Sequence, residues 1–336
     1  MNVFELTRKL IDIESITPNE LAIGEYLAAY LSPLAERHGG RVERIQVEPD
    51  RYNVLACFGN PLVTLSTHQD TVPPFIASSE DDDNIWGRGA CDVKGIIASM
   101  ILAAERLLEE GKSNFALLFV VGEERNSLGA YAASRDPRGS KFLINGEPTE
   151  NRLALGSKGA LRYEITASGR MAHSAYPELG ESAIEKLLDA LVRVRAVNLP
   201  VDEVLGPSTL NIGTITGGRA PNVIPDRARA EVMIRLVGDP DSTRLAISEA
   251  VSGIAEAKEV LCIPAIHLGS VPGIETTVVS YTTDIPAFGG AWGKPYLIGP
   301  GAIHVAHTSE ERVPKKQLLE AIDIYQRMVK LLLQEV

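Results

Sequence analysis

Three short apolar stretches constrain the fold of this chain more than any other feature. In LVTLST, FALLFVVG and KFLING, apolar residues follow one another without the polar alternation of a half-exposed strand. Such strands are typical of a sheet that is covered on both faces. Helical patterns such as VKGIIASMILAAERLLEEG alternate with these strands. The sequence therefore predicts an α/β architecture with helices layered on a sheet.

Helix-end signals mark a second helix near the start of the chain. The stretch NELAIGEYLAAYLSPLAERHGG has helical periodicity over most of its length. Asn is a favoured N-cap residue, so we expect this helix to be capped near Asn19. Glycine is favoured just beyond a helix, so the helix should end at Gly39 and Gly40.

The pattern changes after residue 158. ALRYEITASGR alternates apolar and polar residues, which is typical of a strand with one solvated face. Helix and strand signals then follow in the order β-α-β-β-α-β, the split ferredoxin-like order. Buried-strand patterns return from about residue 271. We therefore expect a catalytic domain of residues 1–158 and 271–336, with residues 159–270 inserted as a second domain.

Composition excludes several classes of partner. The formal net charge is −11, so neither a nucleic acid nor an anionic membrane is expected as a partner. The longest apolar run is too short to span a bilayer, and the N-terminus does not resemble a signal peptide. The three cysteines show no paired spacing, which argues against a disulfide framework. A cytoplasmic protein is expected.

A histidine and a carboxylate stand at the end of the LVTLST strand. His68 and Asp70 are two positions apart, so in an extended chain their side chains share one face. They could be a metal ligand and the carboxylate that orients it. They could equally form a surface ion pair.

Further acidic residues follow the other predicted buried strands. Asp92 lies in a Gly-rich turn before a long helix, where it could instead be a helix N-cap. Glu123 and Glu124 come directly after FALLFVVG. Adjacent acids near a core repel each other unless a cation holds them. The alternative is an exposed loop pair.

The last candidates are Glu147, after KFLING, and His307, in the loop after the final strand. His304 is a rival to His307. One His, two Asp and three Glu after different strands, with a second His, suit two divalent metals about 3.5–4 Å apart. Nitrogen and oxygen ligands favour zinc, with cobalt or manganese as alternatives.

Seven stretches carry a family resemblance over about residues 1–336: STHQDTVP, WGRGACDVKG, VVGEERNSLGA, NGEPT, GRMAHSAYPELGESAI, GGRAPNVIPDRARAEVMIRL and GPGAIHVAHTSEE. In this order they resemble the dinuclear-zinc amidohydrolase and exopeptidase family. That family includes acetylornithine deacetylase, succinyl-diaminopimelate desuccinylase, aminoacylases and glutamate carboxypeptidases. The resemblance implies a zinc-exopeptidase-like catalytic domain, a mixed sheet covered by helices, with an inserted ferredoxin-like lid and dimerisation domain.

The resemblance also implies roles for individual residues. Two divalent metal ions, as zinc or alternatively cobalt or manganese, would be held by five ligands: His68, Asp92, Glu124, Glu147 and His307. Asp92 would bridge the metals, with Glu147 on the His68 side and His307 on the Glu124 side.

Three more residues resemble the family's catalytic machinery. Glu123 resembles the general base, which would take a proton from water and deliver it to the leaving amine. Asp70 resembles the carboxylate that orients His68. His173, in MAHSAYP, resembles the histidine that reaches a neighbouring subunit's active site, so a homodimer through the inserted domain is expected.

The expected substrate is a small N-acyl amino acid or peptide. Arg235 is placed where relatives bind the substrate carboxylate, although an Arg on such a sheet could also be a surface residue. The further substrate-binding candidates are Asn222, Arg219, Lys158 and Gly301. The predicted activity is hydrolysis of the amide bond of an N-acyl amino acid. A metallo-exopeptidase and a non-catalytic binding relative are the alternatives.

Overall fold

The computed structural model describes residues 1–335, so Val336, the last residue of the predicted catalytic domain, lies outside the described residues. The described chain forms two compact units. Unit 1 comprises residues 1–155, 268–277 and the chain from Thr283 onward, and unit 2 comprises residues 156–267 and 278–282. Within the described chain, no helix has the length and apolar character needed to cross a bilayer.

The helices are α1 (Val3–Ile11), α2 (Leu21–Arg37), α3 (Gly95–Glu109), α4 (Leu128–Ala133), α5 (Ala183–Arg195), α6 (Pro240–Val251) and α7 (Lys315–Leu332). The strands are β1 (Arg41–Glu48), β2 (Arg51–Phe58), β3 (Val63–His68), β4 (Ser79–Glu80), β5 (Asn84–Trp86), β6 (Phe115–Val120), β7 (Phe142–Asn145), β8 (Leu153–Ser157), β9 (Gly159–Ser168), β10 (Ala172–His173), β11 (Val201–Asp202), β12 (Gly206–Pro207), β13 (Thr209–Gly217), β14 (Val223–Ile224), β15 (Arg227–Leu236), β16 (Glu256–Ile263), β17 (Ile266–His267), β18 (Thr276–Val279), β19 (Lys294–Leu297) and β20 (Arg312–Pro314).

A mixed sheet forms the centre of unit 1. Its strands lie in the order β1-β2-β6-β3-β7-β19. β1 pairs with β2, and β2 with β6, in antiparallel register. β6, β3, β7 and β19 are parallel to one another. The carboxyl ends of these four strands therefore meet at one edge of the sheet.

The continuous apolar runs arise because alternate residues of one strand enter two different cores. Leu117 and Phe119 of β6 join the core shared with α1, α2, α3 and α7. Leu118 and Val120 point to the opposite face and join a second core around Trp292. Since side chains alternate along a strand, both faces must be apolar when both are covered. The predicted sheet with two covered faces is confirmed.

The predicted start of α2 is shifted by one residue, and the side chain at the N-cap position forms an ion pair and not a cap. α2 begins at Leu21 with Glu20, not Asn19, at the N-cap position. The Glu20 carboxylate is directed to the buried Arg51, with Oε1 2.6 Å from Nη2. Gly40 closes the helix as predicted, because its N–H donates to the carbonyl of Ala35 at 2.8 Å while Gly39 adopts a left-handed φ of 67°.

Unit 2 contains an antiparallel sheet in the order β13-β15-β9-β16. With α5 and α6 between its strands in sequence, this is the predicted ferredoxin-like arrangement. Leu161, Tyr163 and Ile165 of β9 are buried in the core with residues of both helices. Arg162 and Glu164 alternate with them and are only half-buried. The polar–apolar alternation therefore reflects a sheet with one covered face.

Candidate metal centre

The sequence-predicted residues of unit 1 gather at the carboxyl edge of the parallel strands. His68 is the last residue of β3, Glu123 and Glu124 follow β6, and Glu147 follows β7. His307 lies in the loop after β19. Because these strands are parallel neighbours, their ends bring together residues that are far apart in sequence.

His68 is buried, and both of its ring nitrogens have partners. Nδ1 lies 3.0 Å from the backbone carbonyl oxygen of Asp70, and Nε2 lies 3.1 Å from Oδ1 of Asp92. A carbonyl can only accept, so Nδ1 carries a proton, and Nε2, which faces Asp92, is the ring nitrogen that could bind a metal. Burial opposes protonation of the ring, but the contacts with Asp70 and Asp92 outweigh it and raise the His68 pKa.

Asp92 stands between two histidines. Its Oδ1 lies 3.1 Å from His68 Nε2, and its Oδ2 lies 3.2 Å from His307 Nε2. Burial would raise its pKa, but these two contacts lower the pKa instead. The N-cap position of α3 is occupied by Lys94 and not by Asp92, so the helix N-cap interpretation of Asp92 is wrong. A carboxylate with one oxygen toward each histidine has the shape of a bridging ligand.

Glu124 completes the group. Its Oε2 lies 3.1 Å from His307 Nε2, and its side chain is only 6% exposed, so the exposed-loop interpretation is wrong for this residue. Ligand atoms of His68, Asp92 and Glu124 all lie within 4.8 Å of one another. His307 adopts a left-handed φ of 63°, an uncommon conformation that often marks functional sites. Its contacts with Asp92 and Glu124 raise its pKa to about 10.

Glu123 and Glu147 enlarge the negative charge of the cluster. Burial is the main cause that raises the pKa of both carboxyls well above the usual range. Glu147 raises the pKa of Glu123 further, and the charges of Asp284 and Glu124 raise the pKa of both. Glu124 is affected in the same direction, again chiefly by burial. Buried carboxylates at this density need cations to be stable in their charged form. The donor set of imidazole nitrogens and carboxylate oxygens fits divalent metal ions such as zinc.

Asp70 does more than the sequence predicts. Its Oδ1 is 3.6 Å from His68 Nδ1, so the closer contact of His68 is the Asp70 backbone. The carboxylate accepts the backbone N–H groups of Gly122, Glu123 and Glu124 at 3.0–3.2 Å. It also accepts the Thr17 hydroxyl at 2.6 Å. Asp70 therefore fixes the loop that carries Glu123 and Glu124.

Replacing Asp70 by Ala should lower the free energy of unfolding of unit 1 by roughly 3–9 kcal/mol, because three buried or part-buried N–H groups lose their acceptor at about 1–3 kcal/mol each. Thr17→Val removes one donor to the same carboxylate and should cost about 1 kcal/mol. Denaturant unfolding followed by tryptophan fluorescence measures this, since Trp86 and Trp292 both lie in unit 1. Equal stability of the two variants would contradict this role for the Asp70 carboxylate.

Two buried acids near the cluster were missed by the sequence analysis. Burial raises the pKa of Asp284 to about 7, and its charge interacts with those of Glu123 and Glu147. Burial likewise raises the pKa of Glu311 to about 7, with Asp92 as a further cause. Glu311 is the last residue of the stretch AHTSEE, where it resembles any charged loop residue. Asp284 has no local signal that distinguishes it.

The remaining predicted residues of the site are in unit 2, except Gly301. His173 and Asn222 are brought together, because β10 pairs with β14 and Ser174 N–H donates to the Asn222 carbonyl at 3.0 Å. Arg219 contacts Asp226 at 3.3 Å, and Lys158 Nζ donates to the Pro207 carbonyl at 2.6 Å.

Arg235 and Gly301 are placed differently from each other. Arg235 is half-buried on β15 of unit 2. Gly301, in unit 1, has a φ of 91°, and an added Cβ would meet Cys91 Cβ at 2.4 Å. Close packing against the segment that carries Asp92 therefore explains this glycine.

The fold and this cluster define the class of the protein as a metallopeptidase-like hydrolase. The family described as the peptidase dimerisation domain matches residues 155–260. A peptidase M20 domain-containing protein of Schizosaccharomyces pombe is 40% identical over an alignment of 340 positions that covers 98% of this chain and 84% of the relative. A probable carboxypeptidase of Aspergillus niger is 39% identical over an alignment of 368 positions that covers 96% of this chain and 88% of the relative.

This chain belongs to the M20 peptidase family. Among solved structures, the aminopeptidase PepT of Bacillus cereus aligns with a TM-score of 0.80 over 97% of this chain and 96% of that one. At 19% identity this likeness concerns the fold. The expected exopeptidase-type fold and the prediction of an enzyme of the hydrolase class are therefore confirmed.

Proposed function

We propose that the protein is a metal-dependent hydrolase that cleaves a linear amide bond between an acyl group and an amino acid with a free carboxylate. The metal ligands would be His68, Asp92, Glu124, Glu147 and His307. The observation that carries the proposal is the position of Asp92, whose two carboxylate oxygens lie 3.1 and 3.2 Å from two different histidines. One divalent ion on each side of Asp92 would suit this geometry.

The ions proposed are two Zn²⁺ per subunit, with Co²⁺ or Mn²⁺ as alternatives. When bound, they would supply Lewis acidity for the amide carbonyl and lower the pKa of a water molecule between them. His68 would bind through Nε2, because the Asp70 carbonyl holds the ring proton on Nδ1. The fixed tautomer favours metal binding without any rearrangement of the ring.

Glu123 is the proposed general base. It accepts a proton from the attacking water and delivers it to the nitrogen of the leaving amine as the amide bond breaks. Its raised pKa, caused chiefly by burial, suits a group that must both accept and release a proton. Three hydrogen bonds to Asp70 hold the backbone from Gly122 to Glu124, so Glu123 is presented by a fixed loop.

His173 is the proposed donor to the oxyanion, acting in the active site of a partner subunit. Its Nδ1 lies 3.1 Å from Ala175 N and accepts that N–H, so the neutral ring carries its proton on Nε2. The side chain is exposed in unit 2. We propose that residues 159–270 form an inserted lid and dimerisation domain, and the match to a peptidase dimerisation domain supports a homodimer.

The acyl group decides between two activities of the same class. A simple acyl group would make the protein an N-acyl amino acid deacylase resembling acetylornithine deacetylase or succinyl-diaminopimelate desuccinylase. A peptidyl group would make it a metallo-exopeptidase, and the name probable carboxypeptidase of the Aspergillus niger relative favours this second candidate. Arg235 is proposed to bind the free carboxylate in both cases, with Asn222, Arg219, Lys158 and Gly301 as further candidates. A cytoplasmic location is proposed with either activity.

A substrate panel tests this proposal. It contains N-acetyl and N-succinyl amino acids, dipeptides, and the same compounds with the carboxylate converted to an amide, each assayed with Zn²⁺ and with Co²⁺. We expect the compounds with a free carboxylate to be hydrolysed and their carboxamide analogues to be inactive. Hydrolysis of the carboxamide analogues at equal kcat/KM would contradict recognition of a free carboxylate.

Two equivalents of divalent metal per chain should bind to the unsubstituted protein. His68→Ala should lose at least one of them, because among the described residues Nε2 of His68 is the imidazole nitrogen beside Oδ1 of Asp92. Elemental analysis after purification without chelator measures this. His38→Ala is the matched control, because His38 is exposed at the end of α2. Unchanged metal content in His68→Ala would contradict the assignment.

A further inference from the structure

Two segments that carry proposed metal ligands are joined to each other directly. The first is the Asp92 strap, residues 87–94, and the second is the His307 loop, residues 302–311. Gly87 N–H donates to the Glu311 carbonyl at 3.1 Å. Cys91 Sγ lies 3.8 Å from both the Ala302 carbonyl oxygen and Glu311 Oε1. The Asp92 strap and the His307 loop are therefore bound to each other beside the cluster, although more than 200 residues separate them in sequence.

The Glu311 side chain makes the central contacts of this junction. Its Oε2 accepts Arg88 Nη1 at 2.5 Å, and its Oε1 accepts the backbone N–H of Asp92 at 3.3 Å. Both members of the ion pair are buried, with Glu311 1% and Arg88 3% exposed. One carboxylate therefore holds the backbone of the proposed bridging residue from the loop that supplies His307.

The strap is held on its other sides as well. Arg88 donates its backbone N–H to the Ile76 carbonyl at 3.0 Å and its Nε to the Pro74 carbonyl at 3.3 Å. At the far end, Lys94 Nζ donates to the carbonyls of Leu10 and Ile13 at 3.0 and 2.9 Å. The two ends of the Asp92 strap are therefore held by other segments. The hydrogen bond from Asp92 N–H to Glu311 Oε1 links the Asp92 backbone to the His307 loop.

A purely stabilising role is a poor explanation for this ion pair. Replacing a buried ion pair by apolar residues is often neutral or favourable for stability, because desolvation offsets the attraction. A residue that positions a metal ligand must contact that ligand, and Glu311 accepts a hydrogen bond from the backbone N–H of Asp92. Groups that orient metal ligands commonly set metal affinity in this way.

We infer that Glu311 is a positioning residue of the metal centre, which holds the Asp92 backbone so that its two carboxylate oxygens face His68 and His307, and that Arg88 holds Glu311 in place. The inference rests on the proposed function, because it takes Asp92 as the bridging ligand. It predicts that the reach of the Glu311 side chain matters more than its charge.

Two conservative variants separate reach from charge. Glu311→Gln keeps one acceptor oxygen for the Asp92 N–H at the same distance, but it loses the charge and replaces the oxygen that accepts Arg88 Nη1 by an NH2 group. Glu311→Asp keeps the charge but withdraws the oxygen from Asp92 N–H by one methylene. We expect Glu311→Asp to weaken Zn²⁺ binding by about 10–100-fold and Glu311→Gln to weaken it by less than about tenfold. Titration calorimetry against a competing chelator measures the affinities, and the visible spectrum of the Co²⁺-loaded protein reports the coordination geometry.

The control is another buried ion pair of unit 1. Glu20 Oε1 and Arg51 Nη2 are 2.6 Å apart, with side chains 0% and 7% exposed, and within the described part of the chain their hydrogen bonds involve no proposed metal ligand. Glu20→Asp should lower the melting temperature without changing Zn²⁺ affinity or the Co²⁺ spectrum. Equal weakening of Zn²⁺ binding by Glu20→Asp and Glu311→Asp would overturn the inference, as would a larger loss in Glu311→Gln than in Glu311→Asp.

The unsubstituted protein separates failure of this inference from failure of the proposed function. If it binds two Zn²⁺ and both Glu311 variants bind them with the same affinity, the role of Glu311 is wrong and the proposed function stands. If it binds none of Zn²⁺, Co²⁺ and Mn²⁺, the proposed function is wrong and the inference falls with it.

Discussion

Glu123→Gln should leave both metal ions bound and lower kcat by about 10²–10⁴-fold, because an amide cannot take the proton from the attacking water. Gln has nearly the same shape as Glu, and the loop that carries it is fixed by the Asp70 carboxylate at 3.0–3.2 Å from three backbone N–H groups. The loss should therefore come from proton transfer alone. Steady-state kinetics on the best substrate of the panel, with metal content measured on the same sample, tests this expectation.

Glu124→Gln is the matched comparison, because it changes the neighbouring carboxylate in the same loop. Glu124 lies 3.1 Å from His307 and within the group of His68 and Asp92, so this variant should lose metal as well as activity. Near-normal kcat in Glu123→Gln would show that another group is the base. Loss of metal in Glu123→Gln alone would mean that the roles of the two residues are exchanged.

Mixing two inactive variants, His173→Ala and Glu123→Gln, should restore activity if each active site is completed by a partner subunit. In the heterodimer, the site with an intact Glu123 receives an intact His173 from the other chain, while the second site lacks both. Statistical exchange in a C2 dimer makes half of the dimers mixed, so about a quarter of all sites should be active. Activity is measured after a denaturation and renaturation cycle, with exchange verified by mass spectrometry of differently tagged chains.

Two controls belong to the mixing experiment. His267→Ala replaces the other histidine in a strand of unit 2, where it lies 3.1 Å from Asp202, and it should remain active without any partner. Each inactive variant carried through the same cycle alone should stay inactive. Absence of recovered activity despite proven exchange would show that His173 acts within its own chain or outside the reaction.

The part of the site that the sequence predicts is the part created by strand order. His68, Glu123, Glu124 and Glu147 stand directly at or after apolar runs, and parallel pairing of β3, β6 and β7 is sufficient to collect them. The same runs predict two covered faces, because a strand that is apolar at every position must serve two cores.

What the sequence does not predict are contacts between segments that are far apart in the chain. Glu311 meets Arg88 and Asp92 across more than 200 residues, and no local pattern distinguishes it from the neighbouring Glu310. Glu20, at the N-cap position of α2, binds Arg51 of another element, and no local pattern indicates that ion pair. The three bonds of Asp70 to the Glu123 loop likewise depend on how β3 and β6 are paired.

The parallel pairing of β19 with β7 has a consequence for the order in which the protein can mature during synthesis. β7 ends at Asn145, whereas β19 begins only at Lys294, after the whole of unit 2 has been made. His307 and Glu311 follow still later, so a nascent chain that has already emerged as far as Glu147 still lacks the residues beside Asp92. A nascent chain therefore cannot complete the candidate metal centre before the segment from β19 to Glu311 has emerged, so metal loading should follow the synthesis of unit 2.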